Sequence, residues 1–432
     1  MSQHYAGHLA TLKQRSDAAL ARSGFDHLVI ASGVEKYPFL DDRPYPFKPN
    51  PHFKHWLPLL QHPHGWIVHT PGRPPLLVYH QPDDYWHVPP AAPEGFWVEH
   101  FDIRIIREPA EALAHLPKTR AAVLGEADAA LDGVVPNNPQ ALLDELHHQR
   151  GFKTAYELDR MRRAQRRAVK GHRVAEAAFR NGASELEIHR AYLEATGHGE
   201  FDLPYGNIIG LGAHAAVLHY QHQSPARPGR PLSLLIDAGA EVDGYAADIT
   251  RSYAAHEGDF AELIAALDDE QLALCDLVRP GKDYRDLHLE GHLRLGSVLR
   301  NAGLVDMDPG IMVSEGVTSV FFPHGLGHLI GLQVHDVAGR HDALGREIPR
   351  PQGHPYLRLT RTLEPGMVVT IEPGLYFIPT LLAKLQAGPH AKAVDWDRIE
   401  ALLPFGGIRI EDDVVCTEDA PENLTREAFA EV

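Results

Sequence analysis

Short apolar runs punctuated by prolines and aromatic residues mark the first third of the chain. HLVIAS from His27, WIVHT from Trp66, PLLVYH from Pro75 and AAVLGE from Ala121 each have the length and composition of one strand. With helices alternating between them, they predict a small α/β domain over residues 1–155. A longer period follows. AYELDRMRRAQRRAVKGHRVAEAAFRNG, from Ala155, places Leu158, Met161, Ala164, Ala168 and Val174 at helical steps, predicting one long helix that stops at Gly182. Ser184 then opens SELEIHRAYLEATG with Glu187 three residues on, a capping box. These helices lead into a larger domain, residues 156–432, where the pattern turns to strands: NIIGLG, LSLLIDAGAEVDGYAADITRSYA, MVVTIEPGLYF and GGIRIEDDVVCT. Helical segments at residues 259–279 and 283–302 separate them. The fold class is therefore α+β, a mostly antiparallel sheet backed by helices, preceded by the small N-terminal domain.

Composition narrows the classes of function. With 432 residues, 44% of them hydrophobic and 23% charged, the chain can bury a substantial core. No run of about eighteen apolar residues occurs, and the opening MSQHYAGHLATLKQR is polar, which predicts neither a membrane span nor a secretory signal. The formal charge is −17, without a Lys/Arg cluster able to track a phosphate backbone, so no nucleic-acid partner is expected. Cys275 and Cys416 are too few for a disulfide framework, which fits a reducing, cytoplasmic setting. The glycosylation sequon at Asn423 then has no consequence. The acidic surplus favours solubility, and part of it is available to hold cations.

PHGLGHLIGLQVHD, from Pro323, sets His324, His328 and His335 close together on a backbone poor in helix formers. His324 and His328 have the spacing of H-E-x-x-H, but Gly325 and Leu326 stand where a Glu would be needed, and Gly325, Gly327 and Gly331 disfavour a helix. These imidazoles need partners from elsewhere. Asp237 ends one apolar run and Asp248 lies in the next, with Asp243-Gly244, a favoured hairpin turn, between them. A turn centred there makes the two aspartates diagonal neighbours on one sheet face. Glu372 and Glu411 stand in similar apolar strand contexts. Buried carboxylates must be paired or bound to metal, and Arg251 and Arg409 are the few basic residues nearby. Arg409, two residues before Glu411, shares its face. Four carboxylates and one imidazole suit a pair of bridged divalent ions, and an oxygen-rich set without thiolates favours Mn²⁺ or Co²⁺. Zinc and iron accept similar donors.

LIDAGAEVDGYAADITRS, PHGLGHLIGLQVHD, TIEPGLYFI and GGIRIEDDV, in this order, resemble the pita-bread metallopeptidases, the group of methionine aminopeptidase, aminopeptidase P and prolidase. Within it, FLDDRPYPFKPNPHFKHWLP and LHYQH are similar to the bacterial Xaa-Pro dipeptidases and the organophosphorus acid anhydrolases. The likeness runs over nearly the whole chain. It implies a C-terminal pita-bread (creatinase/aminopeptidase-like) domain and two divalent ions, Mn²⁺ first with Co²⁺ or Zn²⁺ as substitutes. Asp237, Asp248, His328, Glu372 and Glu411 would ligate them, with Asp248 and Glu411 bridging. It further implies that His219, His324, His335, Arg409 and Tyr205 surround the substrate. Of the 29 histidines the others, among them His8, His62, His147 and His354, read as surface or packing residues.

The implied reaction is metal-assisted hydrolysis of an Xaa-Pro dipeptide, with Glu372 moving the proton and His335 and Arg409 stabilising developing charge. A homodimer is implied too, with the Asp41 to His52 region of one subunit closing its partner's site. Aminopeptidase P, acting on longer Xaa-Pro peptides, shares the metal set and stays open as an alternative. A metal-free hydrolase of the creatinase type or a non-catalytic binding module would have lost ligands, and none is substituted here. Attack on organophosphorus triesters is a side activity that the same centre could support.

Overall fold

The computed structural model describes residues 4–126, 131–199 and 201–432, so the first three residues of the polar N-terminal stretch lie outside it. The chain forms two compact units, residues 1–160 with 342–346, and residues 161–341 with 347–432.

The first unit opens with α1 (Tyr5–Ser23), which buries Tyr5, His8, Leu9, Leu12, Ser16, Ala19 and Leu20 along one face and ends on Gly24, left-handed at φ 76°. A five-stranded mixed sheet follows, built from β1 (His27–Ala31), β2 (Trp66–His69), β3 (Leu76–His80), β4 (Asp102–Ile106) and β5 (Ala121–Leu124) in the order β4-β3-β2-β1-β5. Strand β1 pairs antiparallel with β2 and parallel with β5. Four of these strands are the apolar runs read from the sequence. The fifth, β4, alternates charged and apolar residues and lies at the sheet edge with Ile105 49% exposed, so it carries no continuous apolar signal. Helices α2 (Pro51–Trp56), begun by an Asn50 cap, and α3 (Gln140–Arg150) complete the unit. Helix α4 spans Ala155–Arg180, and the division into units falls inside it, at Arg160.

In the second unit α4 buries Met161, Ala164, Gln165, Ala168, Val169, His172, Ala175 and Phe179. The stripe follows His172 and Ala175 rather than Val174, which is 41% exposed because it stands six residues after Ala168, off the three- and four-residue steps of one helix face. The Ser184 capping box starts α5 (Glu185–Thr196) as its sequence requires. Strands β6 (Ile208–Leu211), β7 (Ser233–Asp237), β8 (Glu241–Val242), β9 (Tyr245–Ala246) and β10 (Thr250–Ala254) form an antiparallel sheet, β10-β7-β6, and a small hairpin, β8-β9. Phe179, Ile188, Tyr192, Ile209, Leu234 and Ile236 share one core, so α4 and α5 back this sheet.

Helices α6 (Asp259–Cys275) and α7 (Tyr284–Asn301) precede a long irregular stretch. The chain then returns as β11 (Val368–Ile371), β12 (Gly374–Tyr376), β13 (Gly407–Arg409), β14 (Asp412–Val415) and β15 (Glu422–Asn423), paired β11-β14-β15 and β12-β13. Two buried side chains tie the helices to β11: Gln271 Nε2 donates to Ile371 O at 3.1 Å, and Tyr284 Oη to Thr370 O at 2.6 Å. Asn423 of the sequon caps the C-terminal helix, its side chain accepting from Arg426 N and donating to Asp412 at 2.8 Å.

Candidate active site

Each acidic residue singled out in the sequence stands where a strand ends or breaks. Asp237 is the last residue of β7, and Asp248 lies between β9 and β10. Glu372 follows β11, and Glu411 fills the gap between β13 and β14. A side chain at such a break escapes the neighbouring ladder, and four breaks facing one another gather four carboxylates. The Asp243-Gly244 turn sets the first half of this register. Both residues take positive φ, 52° and 88°, as a two-residue hairpin turn requires. Val242 then pairs with Tyr245, and the same register continues to Asp237 opposite Thr250. Asp248 is therefore diagonal to Asp237, and Tyr205 Oη bridges them, 2.9 Å from Asp237 Oδ1 and 2.5 Å from Asp248 Oδ1. Thr250 also bridges to Glu411, joining the two halves: Glu411 N donates to Thr250 O at 3.1 Å, and Thr250 Oγ1 donates to Glu411 Oε2 at 2.7 Å.

His328 enters from the irregular stretch. Its N–H donates to Thr370 Oγ1 at 3.1 Å, and its ring Nδ1 lies 3.0 Å from Leu329 O, which leaves Nε2 facing Asp248 at 3.5 Å and Glu372 at 3.7 Å. Gly327 makes this approach to β11 feasible: a Cβ there would sit 2.1 Å from Thr370 O. Asp248, His328 and Glu411 each offer a ligand atom within 4.8 Å of the others.

Among the described residues, Arg409, His328 and His324 are the basic side chains within ion-pair distance of these carboxylates. His324 is neutral, its pKa lowered to about 3 by burial and by Arg409. Positive charge falls short of four carboxylates, and the protonation equilibria register the deficit. Burial raises Glu372 to about 7, assisted by Asp248 and Asp237 against the pull of His328 and Arg409. Burial and the neighbouring carboxylates hold Glu411 well above its ordinary range, and burial raises Asp237 despite Arg409. Asp248 alone is lowered, because bonds from His328 and Tyr205 outweigh its burial. Oxygen donors converging with one imidazole on an under-neutralised spot fit divalent cations.

The carboxylates and His328 form the floor of a cavity of about 650 Å³. His219 and His335 line it, and the His335 ring stands edge-on to His328 at 4.5 Å. Of the other residues expected around the substrate, His324 lines the cavity and Tyr205 does not. Tyr205 lies behind the carboxylates, with its hydroxyl on both aspartates and outside the cavity lining. Both ring nitrogens of His324 are occupied: Nδ1 donates to Gly325 O at 2.9 Å and Nε2 accepts from Tyr376 Oη at 2.9 Å. Arg409 borders the cavity but is 4% exposed, its guanidinium donating to Asp237 Oδ2 and Tyr376 Oη, both at 2.7 Å, and to Thr250 Oγ1 at 3.3 Å. Sequence reasoning passed over the cations on the cavity wall, Arg350 and Arg358, and the apolar wall of Leu218, Pro355, Ile378 and Leu381. Arg358 is exposed, and among the described residues no side-chain hydrogen bond or ion pair is assigned to it.

Small antiparallel sheets with carboxylates at their strand breaks and a histidine from the intervening stretch fit a metal-dependent hydrolase. The chain belongs to metallopeptidase family M24, whose profile matches residues 159–418. Residues 3–148 match the profile of the Xaa-Pro dipeptidase N-terminal domain. The chain is 57% identical over 435 residues to an Xaa-Pro dipeptidase of Xanthomonas campestris, covering 100% of this chain and 98% of that one. It is likewise 57% identical over 431 residues to an Xaa-Pro dipeptidase of Stenotrophomonas maltophilia, covering 99% and 97%. In fold it is similar to an aminopeptidase of Pseudomonas aeruginosa, with a TM-score of 0.74, 24% identity and coverage of 100% and 97%.

Proposed function

We propose that this chain is an Xaa-Pro dipeptidase, hydrolysing the bond before a C-terminal proline to release an amino acid and proline. The observation that carries the reading is the set of four carboxylates and His328 lining a cavity that also has an apolar wall and the exposed cation Arg358. Asp237, Asp248, His328, Glu372 and Glu411 would hold two divalent ions. The oxygen-rich donor set supports Mn²⁺, with Co²⁺ or Zn²⁺ as substitutes. Such ions supply Lewis acidity and a water that ionises near neutral pH.

The remaining work falls to the chain. Glu372, 17% exposed at its side chain and facing the cavity, takes the proton of the attacking water and delivers it to the departing prolyl nitrogen. His335 and His219 reach the cavity and donate to the oxyanion and to the substrate carboxylate. Arg409 acts from behind, fixing Asp237 and Tyr376. The apolar wall receives the proline ring, whose missing amide hydrogen and fixed φ defeat general peptidases. Arg358, which has no competing partner among the described residues, binds the substrate carboxylate.

The protein would work as a cytoplasmic homodimer. Phe39, Leu40, Tyr85, Trp86 and Val88 of the first unit are 78–96% exposed, an apolar surface suited to a second copy, and both cysteines are unpaired. The test is Arg358→Ala: kcat/KM on a dipeptide such as Ala-Pro should fall about 10- to 100-fold, the value of one hydrogen-bonded charge pair, while turnover of Ala-Pro-amide changes little. An equal fall on both substrates would remove Arg358 from carboxylate recognition.

A further inference from the structure

We propose that His288, His292 and His354 form a second metal site, for one zinc-class ion, separate from the catalytic carboxylates. His288 and His292 are four residues apart on α7 and point from one face of it, each 1% exposed. His354, half-buried, comes from the later loop. The three rings pack with centroids 4.5–4.7 Å apart, and one ring nitrogen of each lies within 4.8 Å of the others.

The bonding around the rings points to a ligand. His292 Nδ1 lies 3.0 Å from the buried Thr318 Oγ1, and its Nε2 has no partner, although it is sealed from water. A hydroxyl that fixes one ring nitrogen and leaves the other bare is how ligating histidines are commonly oriented. His288 Nε2 and His354 Nδ1 are 2.9 Å apart and share one proton. Because His288 Nδ1 accepts from Leu326 N–H at 3.2 Å, the single proton of the neutral ring sits on Nε2; ligation through Nε2 moves that proton to Nδ1, and the ring gives up its contact with Leu326 N–H. A tetrahedral zinc, with bonds of about 2.0–2.1 Å, needs nitrogens roughly 3.3 Å apart. The His288–His354 pair would open by a few tenths of an ångström and His292 would close. All three imidazoles have lowered pKa values, chiefly through burial, and so stay neutral.

Three imidazoles without a carboxylate select Zn²⁺, Co²⁺, Ni²⁺ or Cu²⁺ over Mn²⁺. The half-buried side of His354 leaves the fourth position to water. An ion here would bear on the catalytic loop, since Leu326 C=O accepts from Glu372 N–H at 2.8 Å.

Full-length Mn²⁺-loaded protein is exposed to excess Zn²⁺, passed through gel filtration, and its total divalent metal measured per chain. Wild type should retain one more ion than His292→Asn and His354→Ala. Asp248→Asn, which damages only the carboxylate centre, should keep the additional ion. With Co²⁺ as probe, wild type should show the intense visible absorption of a low-coordinate nitrogen-ligated ion, lost in both histidine variants. His354→Ala alters a half-buried loop position, so it reports even if His292→Asn fails to fold. Equal metal content and equal cobalt spectra in wild type and His354→Ala would overturn the proposal.

Discussion

Thr250→Val isolates one hydroxyl at the junction of the two halves of the site. Thr250 is fully buried and paired with Asp237 across β7 and β10, and valine keeps both the β-branched shape and that pairing. The substitution deletes the 2.7 Å donor to Glu411 Oε2 and the longer 3.3 Å acceptor for Arg409 Nε, while Arg409 keeps its bonds to Asp237 and Tyr376. A hydrogen bond to a charged group is worth about 1.5–3 kcal/mol. Loss of a residue that orients a metal ligand typically weakens metal binding about 10- to 100-fold, which is about 1.4–2.7 kcal/mol, and the two routes agree. Glu411, already held well above its ordinary range, would bind a proton more strongly still and compete harder with the ion. Titration of metal-free protein with Mn²⁺, followed by calorimetry, should therefore show a Kd raised about 10- to 100-fold, with the metal-free thermal midpoint shifted by only a few degrees. An unchanged Kd would show that the Thr250–Glu411 contact does not hold a metal ligand and would refute the reasoning.

Two further predictions concern the histidines. His328→Ala should lower metal occupancy, whereas His335→Ala should leave metal bound and reduce kcat; equal metal loss, measured by elemental analysis, would mean the ligand is misassigned. His8, His62 and His172 are held at pKa values of about 4, 4 and 3 by burial, against 6.5 unfolded. Between those values the unfolded chain binds protons that the folded chain does not, so stability is full above pH 6.5 and falls as pH drops toward 4, by about 1.4 kcal/mol per pH unit for each imidazole in the window. Urea midpoints should fall steadily between pH 7 and 5, and a flat profile would contradict the assignment.

The fold was legible where one residue pattern decides one element. Apolar runs of strand length became strands, and the Asp243-Gly244 turn carried enough register to place Asp237 diagonally from Asp248. What escaped depends on contacts distant in sequence. His172 is polar and adds nothing to an apolar period, yet it lies on the buried face of α4 with Nε2 2.9 Å from Ala238 O. Arg409 was expected beside the carboxylates from its place two residues before Glu411, but its bonds to Tyr376 and Asp237 join strands that no local pattern brings together. Arg350 and Arg358 lie in irregular backbone without period, so nothing local marks them as cavity walls. His354, taken as a surface or packing residue, meets two histidines of α7 that lie more than sixty positions earlier.

The central claim is a metal-dependent dipeptidase, and the most direct measurement is kcat/KM of metal-reconstituted protein on Ala-Pro, Ala-Pro-amide and a matching Ala-Pro-Xaa tripeptide, with a chelated control. The account predicts that the dipeptide exceeds both others by about 10-fold or more, because a neutral amide leaves the carboxylate-binding cation unpaired, and that chelation abolishes all turnover. A tripeptide or amide cleaved as well as the dipeptide, or activity that survives exhaustive chelation, would contradict it.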